Sequence, residues 1–244
     1  MDLRHQFVFF STDLLGISPS LDTISRIFTS DLVRKLGVIP STYSEAVPTL
    51  NTSVNRLRLL LPDGSLDIYV GHSRIDIINQ PINNQVSRPL SQFSAMVIDA
   101  LKIVIDDSDV KANRLALITY FDDGVSAADA SGLVMKNLMS PPEYFSDKPK
   151  ADWTFRINGV TSLQIADQNE EVNSLLKVER NFALSSNGGG ELFQQYSTFG
   201  EIDVNTANIN VSSRFSVENC IEFIDKATAL QASIKSSLAK KLEV

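Results

Sequence analysis

Short apolar runs separated by turn residues predict strands in the first half of the chain. The run at residues 54–61 is followed by Pro62, Asp63 and Gly64, and residues 66–70 then alternate between apolar and polar side chains. Residues 74–79 alternate in the same way. Proline presets one turn dihedral and glycine accepts a positive φ, so residues 62–64 favour a tight turn. The pattern therefore predicts a three-stranded antiparallel meander.

Apolar residues at helical spacing predict a few long helices. Between residues 90 and 105 they are Leu90, Phe93, Val97, Leu101 and Val104, which form one stripe. A longer stripe runs from residue 217 to residue 238, after a serine suited to capping a helix. Similar spacing predicts helices at residues 19–36 and 126–139.

Further strand patterns occur at residues 5–11, 114–121, 153–165, 175–184, 192–199 and 202–211. Residues 187–190 are typical of a hairpin turn, and the Ser-, Thr- and Pro-rich stretch at 40–53 indicates a loop. The helices are segregated from the antiparallel runs, so we predict an α+β fold of antiparallel sheets packed by a few long helices. Prolines at 141 and 142 suggest a boundary between an N-terminal half, residues 1–140, and a C-terminal half, residues 150–244. A diverged duplication and one compact domain both stay open.

Charge and cysteine content restrict the cellular compartment and the classes of partner expected for the protein. The 244 residues carry a net charge of −7 and a single cysteine. This residue, Cys220, lies within the last apolar stripe and is predicted to be a buried or half-buried small hydrophobe. An intrachain disulfide is therefore excluded, which favours a reducing compartment. No dense basic stretch is present, so nucleic-acid binding is disfavoured. No apolar run is long enough for a membrane span, and we expect a cytoplasmic protein.

The sequence contains few candidate catalytic or metal-binding residues. The two histidines, His5 and His72, have no partner in sequence that would indicate a nucleophile–base pair. Asp122 and Asp123 follow the apolar strand at 114–121, a position from which carboxylates can hold a catalytic metal. The same Asp-Asp-Gly sequence is also common turn chemistry. A salt bridge between Asp67 and Arg74 on neighbouring strands is a further expectation.

The order of elements resembles that of an uncharacterised, sporadically distributed family of bacterial proteins of similar length. The resemblance covers most of the chain and rests on Arg56-Leu57, Asp63-Gly64, the helix with Phe93, Arg114-Leu115, and Arg214-Phe215 before the last helix. It implies a bacterial cytoplasmic setting and an accessory role, and it implies no catalytic residues.

Three hypotheses of function follow, of which the third is a small-molecule sensor with its pocket between the sheet and the helices. The first is a non-catalytic protein-binding or assembly component of a bacterial cytoplasmic system, without cofactor or metal, whose sheet edges pair with a protein partner or with a second copy in a homodimer. The alternative is a metal-dependent hydrolase or nuclease that uses Asp122 and Asp123.

Overall fold

A computed structural model provides the structure of the protein. It describes residues 2–14, 17, 21–47, 51–81, 87–105, 110–122, 134, 137–139, 153–186 and 192–242. Within these residues, no helix has the length and apolar character needed to cross a membrane.

One nine-stranded antiparallel sheet forms the centre of the fold, in the order β2-β3-β4-β5-β1-β6-β9-β8-β7. The strands are β1 (Asp2–Phe10), β2 (Ile39–Val47), β3 (Thr52–Leu60), β4 (Leu66–Val70), β5 (Arg74–Asn79), β6 (Arg114–Phe121), β7 (Trp153–Ile165), β8 (Gln168–Ser186) and β9 (Leu192–Thr206). The helices described in full are α1 (Leu21–Thr29), α2 (Asp31–Leu36), α3 (Leu90–Val104) and α4 (Val217–Leu242). The predicted α+β class is confirmed. The sheet joins strands from both predicted halves, whose status as domains stays a prediction.

The predicted meander, the helix at 90–105, the strand at 114–121 and the last helix are all confirmed. The start of α4 has the expected cap, because the Ser216 hydroxyl accepts a bond from the Asn219 N–H at 3.4 Å and the Asn219 side chain accepts one from the Ser216 N–H. The helix at 126–139 lies largely outside the described residues, and the turn at 187–190 lies wholly outside them.

Three predictions of local structure are wrong. The stretch at 40–53 is mostly strand, since it holds β2 and the start of β3. β2 is an edge strand, where Pro40 and polar side chains are tolerated. The two strands at 192–199 and 202–211 are one strand, β9, because Gly200 continues it under the Phe121 ring. The helix at 19–36 divides into α1 and α2 at Ser30.

The two faces of the sheet differ in character. Odd-numbered residues of β1 face the helices: Phe7 packs against Phe223 of α4 at 6.4 Å between ring centroids, and His5 stacks on Phe93 of α3 at 5.7 Å. Even-numbered residues of β1 face the other way and include Arg4 and Gln6. We call this side the second face. It carries the candidate site, whereas the helix side carries the apolar core.

A chain of buried hydrogen bonds ties the sheet to α4. The Thr119 hydroxyl donates to the Gln231 side chain at 2.8 Å, so its oxygen accepts a hydrogen bond from His5 Nδ1–H at 3.1 Å. A neutral His5 ring therefore carries its proton on Nδ1, with Nε2 3.4 Å from the Ser87 hydroxyl. Gln231 also donates to the carbonyls of Leu117 and Ile202.

Acidification is expected to destabilise the fold through His5. Burial lowers the pKa of this imidazole below 6.5, an effect opposed by Asp2 and aided by Lys235. The unfolded chain therefore takes up the proton first, and stability falls as the pH drops through about 6.5. Thermal unfolding at about pH 5.5 and about pH 7.5 measures this loss. The loss should shrink in His5→Gln and persist in His72→Gln; an unchanged loss in His5→Gln would contradict the assignment.

Candidate active site

A polar cavity of about 610 Å³ opens on the second face over the neighbouring strands β2, β3, β4, β5 and β1, and we call it the basin. It is lined mainly by charged, aromatic and small polar residues, which are Arg4, Gln6, Phe10, Tyr43, Glu45, Tyr69, Gly71, His72, Ser73, Arg74, Asp76 and Ile78. Its volume lies within the range of about 300–1,000 Å³ that is typical of small-molecule sites.

Glu45 and His72 form the most directional contact in the basin. One carboxylate oxygen of Glu45 lies 2.9 Å from His72 Nδ1, and the other accepts the His72 backbone N–H at 2.9 Å. A carboxylate only accepts hydrogen bonds, so a neutral His72 ring carries its proton on Nδ1 and a lone pair on Nε2. The imidazole side chain is 31% exposed and can meet a ligand.

Arg56 supports Glu45 from inside the protein. Its side chain is 1% exposed, and Nε lies 3.6 Å from Glu45 Oε2. The guanidinium also donates to the carbonyls of Val70, Gly71 and Leu14 at 3.2, 2.7 and 2.7 Å. Arg56 therefore joins the end of β4 and the segment after β1 to the carboxylate that holds His72.

Gly71 leaves the space in which Glu45 reaches the β4–β5 link. A Cβ at this position would lie 3.0 Å from Glu45 Oε1 and 3.1 Å from the Arg74 carbonyl oxygen. The close approach explains why glycine precedes the histidine, because any side chain would push the carboxylate away from the ring it holds.

Asp76 lies on the floor of the basin and binds two side chains. Gln6 donates to it at 2.9 Å, and Arg74 Nε lies 2.8 Å away. Burial raises the pKa of this carboxyl, and the opposing effects of Arg74 and Gln6 are smaller. The carboxyl is therefore a weaker acid than an exposed aspartate.

Two tyrosines form the aromatic wall of the basin. The rings of Tyr43 and Tyr69 lie 5.4 Å apart and meet edge to face at 83°. Burial and the nearby Glu45 raise the pKa of Tyr43 to about 12, so its hydroxyl keeps its proton at neutral pH. The Tyr69 hydroxyl donates a hydrogen bond to Asp67 at 2.8 Å. The Arg58 guanidinium lies over the Tyr69 ring, with Cζ 4.8 Å from the ring centroid.

Of the two site residues predicted from sequence, the one that the structure describes lies apart from this cavity. Asp122 directly follows β6 and is not in the basin wall, and Asp123 lies outside the described residues. Among the residues that the structure describes, no three His, Cys, Asp or Glu side chains are grouped to hold a metal ion. The role of Asp122 and Asp123 in metal-dependent hydrolysis stays a prediction.

Two side-chain predictions outside the basin have clear outcomes. Cys220 is fully buried, as predicted, and burial raises the pKa of its thiol. The predicted bridge between Asp67 and Arg74 is wrong because Asp67 pairs with Ile78 in the β4–β5 register. Asp67 instead binds Arg58 through two bonds of 2.9 and 2.6 Å.

Sequence reasoning missed the pair of Glu45 and His72. The two residues are 27 positions apart, and Glu45 lies in the stretch predicted to be a loop. The available signal was the alternation of Tyr43 and Glu45 with the smaller side chains of residues 42, 44 and 46, which is the period of a strand.

Comparison with known proteins identifies no family for this chain. No family model and no curated protein matches the chain. One solved structure is reported as similar, a rolling circle replication initiator protein from Geobacillus stearothermophilus, with 10% sequence identity over 86% of this chain and 76% of that chain and a TM-score of 0.28. The prediction of a non-catalytic protein-binding or assembly component is contradicted by this match to a replication initiator protein and is not retained. At this TM-score it carries no argument about what the chain does.

Proposed function

We propose that the protein is an enzyme that hydrolyses an ester bond in the basin, with His72 as the general base. The observation that supports this proposal is the double contact of Glu45 with the backbone and ring of His72. A carboxylate that fixes one ring nitrogen leaves the other nitrogen as a positioned proton acceptor.

The proposed chemistry uses water as the nucleophile. Nε2 of His72 takes a proton from a water molecule as its oxygen attacks the ester, and the imidazolium that forms lies against the Glu45 carboxylate. The proton then returns to the leaving alcohol as the ester bond breaks. Buried contacts from Arg56 keep Glu45 in place throughout this cycle.

Selective modification of His72 tests the proposal. The chain has only two histidines, and His5 is fully buried whereas the His72 side chain is 31% exposed. Of the two histidines, diethyl pyrocarbonate should therefore modify His72 and leave His5 unmodified, as checked by peptide mass mapping. We expect the native protein to hydrolyse at least one member of a panel of chromogenic carboxylate esters and phosphate mono- and diesters. Modification should abolish this turnover, and hydroxylamine should restore it.

His5→Gln is the matched control for the modification experiment. It retains His72 and should lose ester hydrolysis on modification just as the native protein does. Hydrolysis that continues after complete modification of His72 would contradict the proposal. So would a panel in which no ester is hydrolysed faster by the native protein than by the modified protein.

A further inference from the structure

β7 forms one edge of the nine-stranded sheet, and its outer side has no strand beside it among the described residues. Residues 156–162 are all exposed, on both faces of the strand, and Ile157 and Val160 have 55% and 60% of their surface exposed. An unpaired strand edge presents a row of backbone donors and acceptors that another strand can bind. β7 has 13 residues, so this row is longer than that of an average strand.

β7 lacks the features by which proteins protect sheet edges from pairing. It pairs with β8 in one unbroken register over all of its residues, so no bulge turns the edge away. Its sequence contains no proline, lysine or acidic residue, and Arg156 is its one charged residue. β2, at the other edge of the sheet, contains Pro40 and Glu45. The sheet therefore has one protected edge and one edge that is open to pairing.

The turn between β7 and β8 determines which backbone groups of β7 point outward. Ala166 and Asp167 both have a positive φ, 52° and 60°, which is typical of a two-residue hairpin turn of type I′. In such a hairpin the flanking residues, Ile165 and Gln168, exchange backbone hydrogen bonds, and bonded positions then alternate along the strand. The odd-numbered residues of β7 therefore bond to β8, and the even-numbered residues direct their N–H and C=O groups to the free edge.

A second copy of β7 fits this edge along its whole length. A two-fold axis at the central residue, Gly159, pairs all 13 positions of one strand with those of an antiparallel copy. Even-numbered residues then face even-numbered residues, so the outward N–H and C=O groups meet their complements. Glycine within a strand often marks the close approach of another backbone. Among the described residues, none has an atom within 4 Å of the position that a Cβ at Gly159 would take.

The side chains of β7 match in the same register on both faces of the sheet. On the helix side Trp153 faces Ile165 and Phe155 faces Leu163, so apolar pairs extend the core across the axis. On the second face Arg156 faces a serine of the other copy, and the two arginines do not face one another. The strand is therefore complementary to itself in hydrogen bonding, hydrophobicity and charge.

From this self-complementarity we infer that the protein forms a two-fold homodimer in which β7 of each copy pairs antiparallel with β7 of the other. The pairing joins the two sheets into one. The basin lies toward the opposite edge of the sheet and stays open in both copies. The inference therefore does not depend on the reaction proposed for His72.

Disulfide trapping tests the position of the axis. Gly159→Cys places two cysteines at a non-hydrogen-bonded pair, where Cα atoms lie about 4.5 Å apart, a distance that a disulfide can span. Mild oxidation should therefore convert this variant to a covalent dimer on a non-reducing gel. Thr161→Cys is the matched control, because its two copies lie roughly 13 Å apart along the strands and should stay unlinked. The native Cys220 is fully buried and does not compete.

Sedimentation velocity tests association without a crosslink. We expect the native protein to sediment with twice the mass of one chain. Val160→Pro removes an outward N–H from each copy and leaves the bonds between β7 and β8 intact, so the single chain should keep its fold. The affinity of the dimer should fall at least about tenfold, because each copy loses a hydrogen bond of the interface. Circular dichroism checks that the variant is folded.

Three results would each overturn the inference. The first is a native protein that sediments as a monomer up to its solubility limit. The second is equal crosslinking of Gly159→Cys and Thr161→Cys, which would indicate random collision or another register. The third is a folded Val160→Pro variant whose dimer affinity equals that of the native protein, since association would then use another surface.

Discussion

Replacing Arg56 with methionine is expected to destabilise the protein by about 3–5 kcal/mol, the cost of breaking a buried ion pair from one side. Arg56 is one of the largest fully buried side chains of the protein. Methionine fills much of the same volume but has no donors. The substitution leaves Glu45 without its buried cation and the carbonyls of Leu14, Val70 and Gly71 without their guanidinium contacts.

Arg58→Met provides the matched control for this prediction. Arg58 lies on the same strand two residues away and also pairs with a carboxylate, Asp67, but its side chain is 32% exposed. A pair of this kind contributes about 0–1 kcal/mol because water screens it. For a domain of this size 1 kcal/mol corresponds to about 2–4 °C, so Arg56→Met should lower the midpoint of thermal unfolding by about 6–20 °C.

Calorimetric unfolding of the two variants measures the difference between them. Equal losses for Arg56→Met and Arg58→Met would show that the buried contacts of Arg56 contribute no more than a surface pair. Such a result would also remove Arg56 as the support of Glu45.

The meander shows which parts of the fold follow from sequence. β3, β4 and β5 have alternating apolar residues and a turn whose chemistry fixes the chain reversal, so local patterns determine them. β2 lacks that pattern because it is an edge strand, with exposed side chains and a proline near its start. Its position depends on pairing with β3, which composition alone does not reveal.

The candidate site, in contrast to the meander, does not follow from local sequence patterns. Glu45 and His72 meet only because β2 and the β4–β5 link are both adjacent to β3 and face the same side of the sheet. A change of register by one residue would move Glu45 to the other face. The sequence therefore contains both residues of the pair but no local sign that they form one.

The wrong prediction of a bridge between Asp67 and Arg74 also shows that side-chain pairing depends on strand register. Their place on neighbouring strands and their opposite charges are correct, but the register sets Asp67 opposite Ile78 and Asp76 opposite Tyr69. Arg74 therefore binds Asp76, two residues along its own strand, and contributes to the basin.

Replacing His72 with glutamine is expected to lower kcat for ester hydrolysis by about 100- to 10,000-fold, the usual contribution of a positioned general base. Glutamine can still accept a bond at its amide oxygen but cannot take up a proton. KM should change little, because the role proposed for His72 is to take up a proton during the reaction and not to hold the substrate. Steady-state kinetics on the ester found in the panel separates the two constants.

Glu45→Gln distinguishes a positioned base from a histidine that merely lies in the cavity. The amide can donate to Nδ1 and stabilise the ring with its proton on Nε2, so kcat should fall although His72 remains. The loss of kcat should be smaller in Glu45→Gln than in His72→Gln, because the histidine that takes the proton is still present. If both variants kept the native kcat, the proton would be accepted elsewhere and His72 would not be the base.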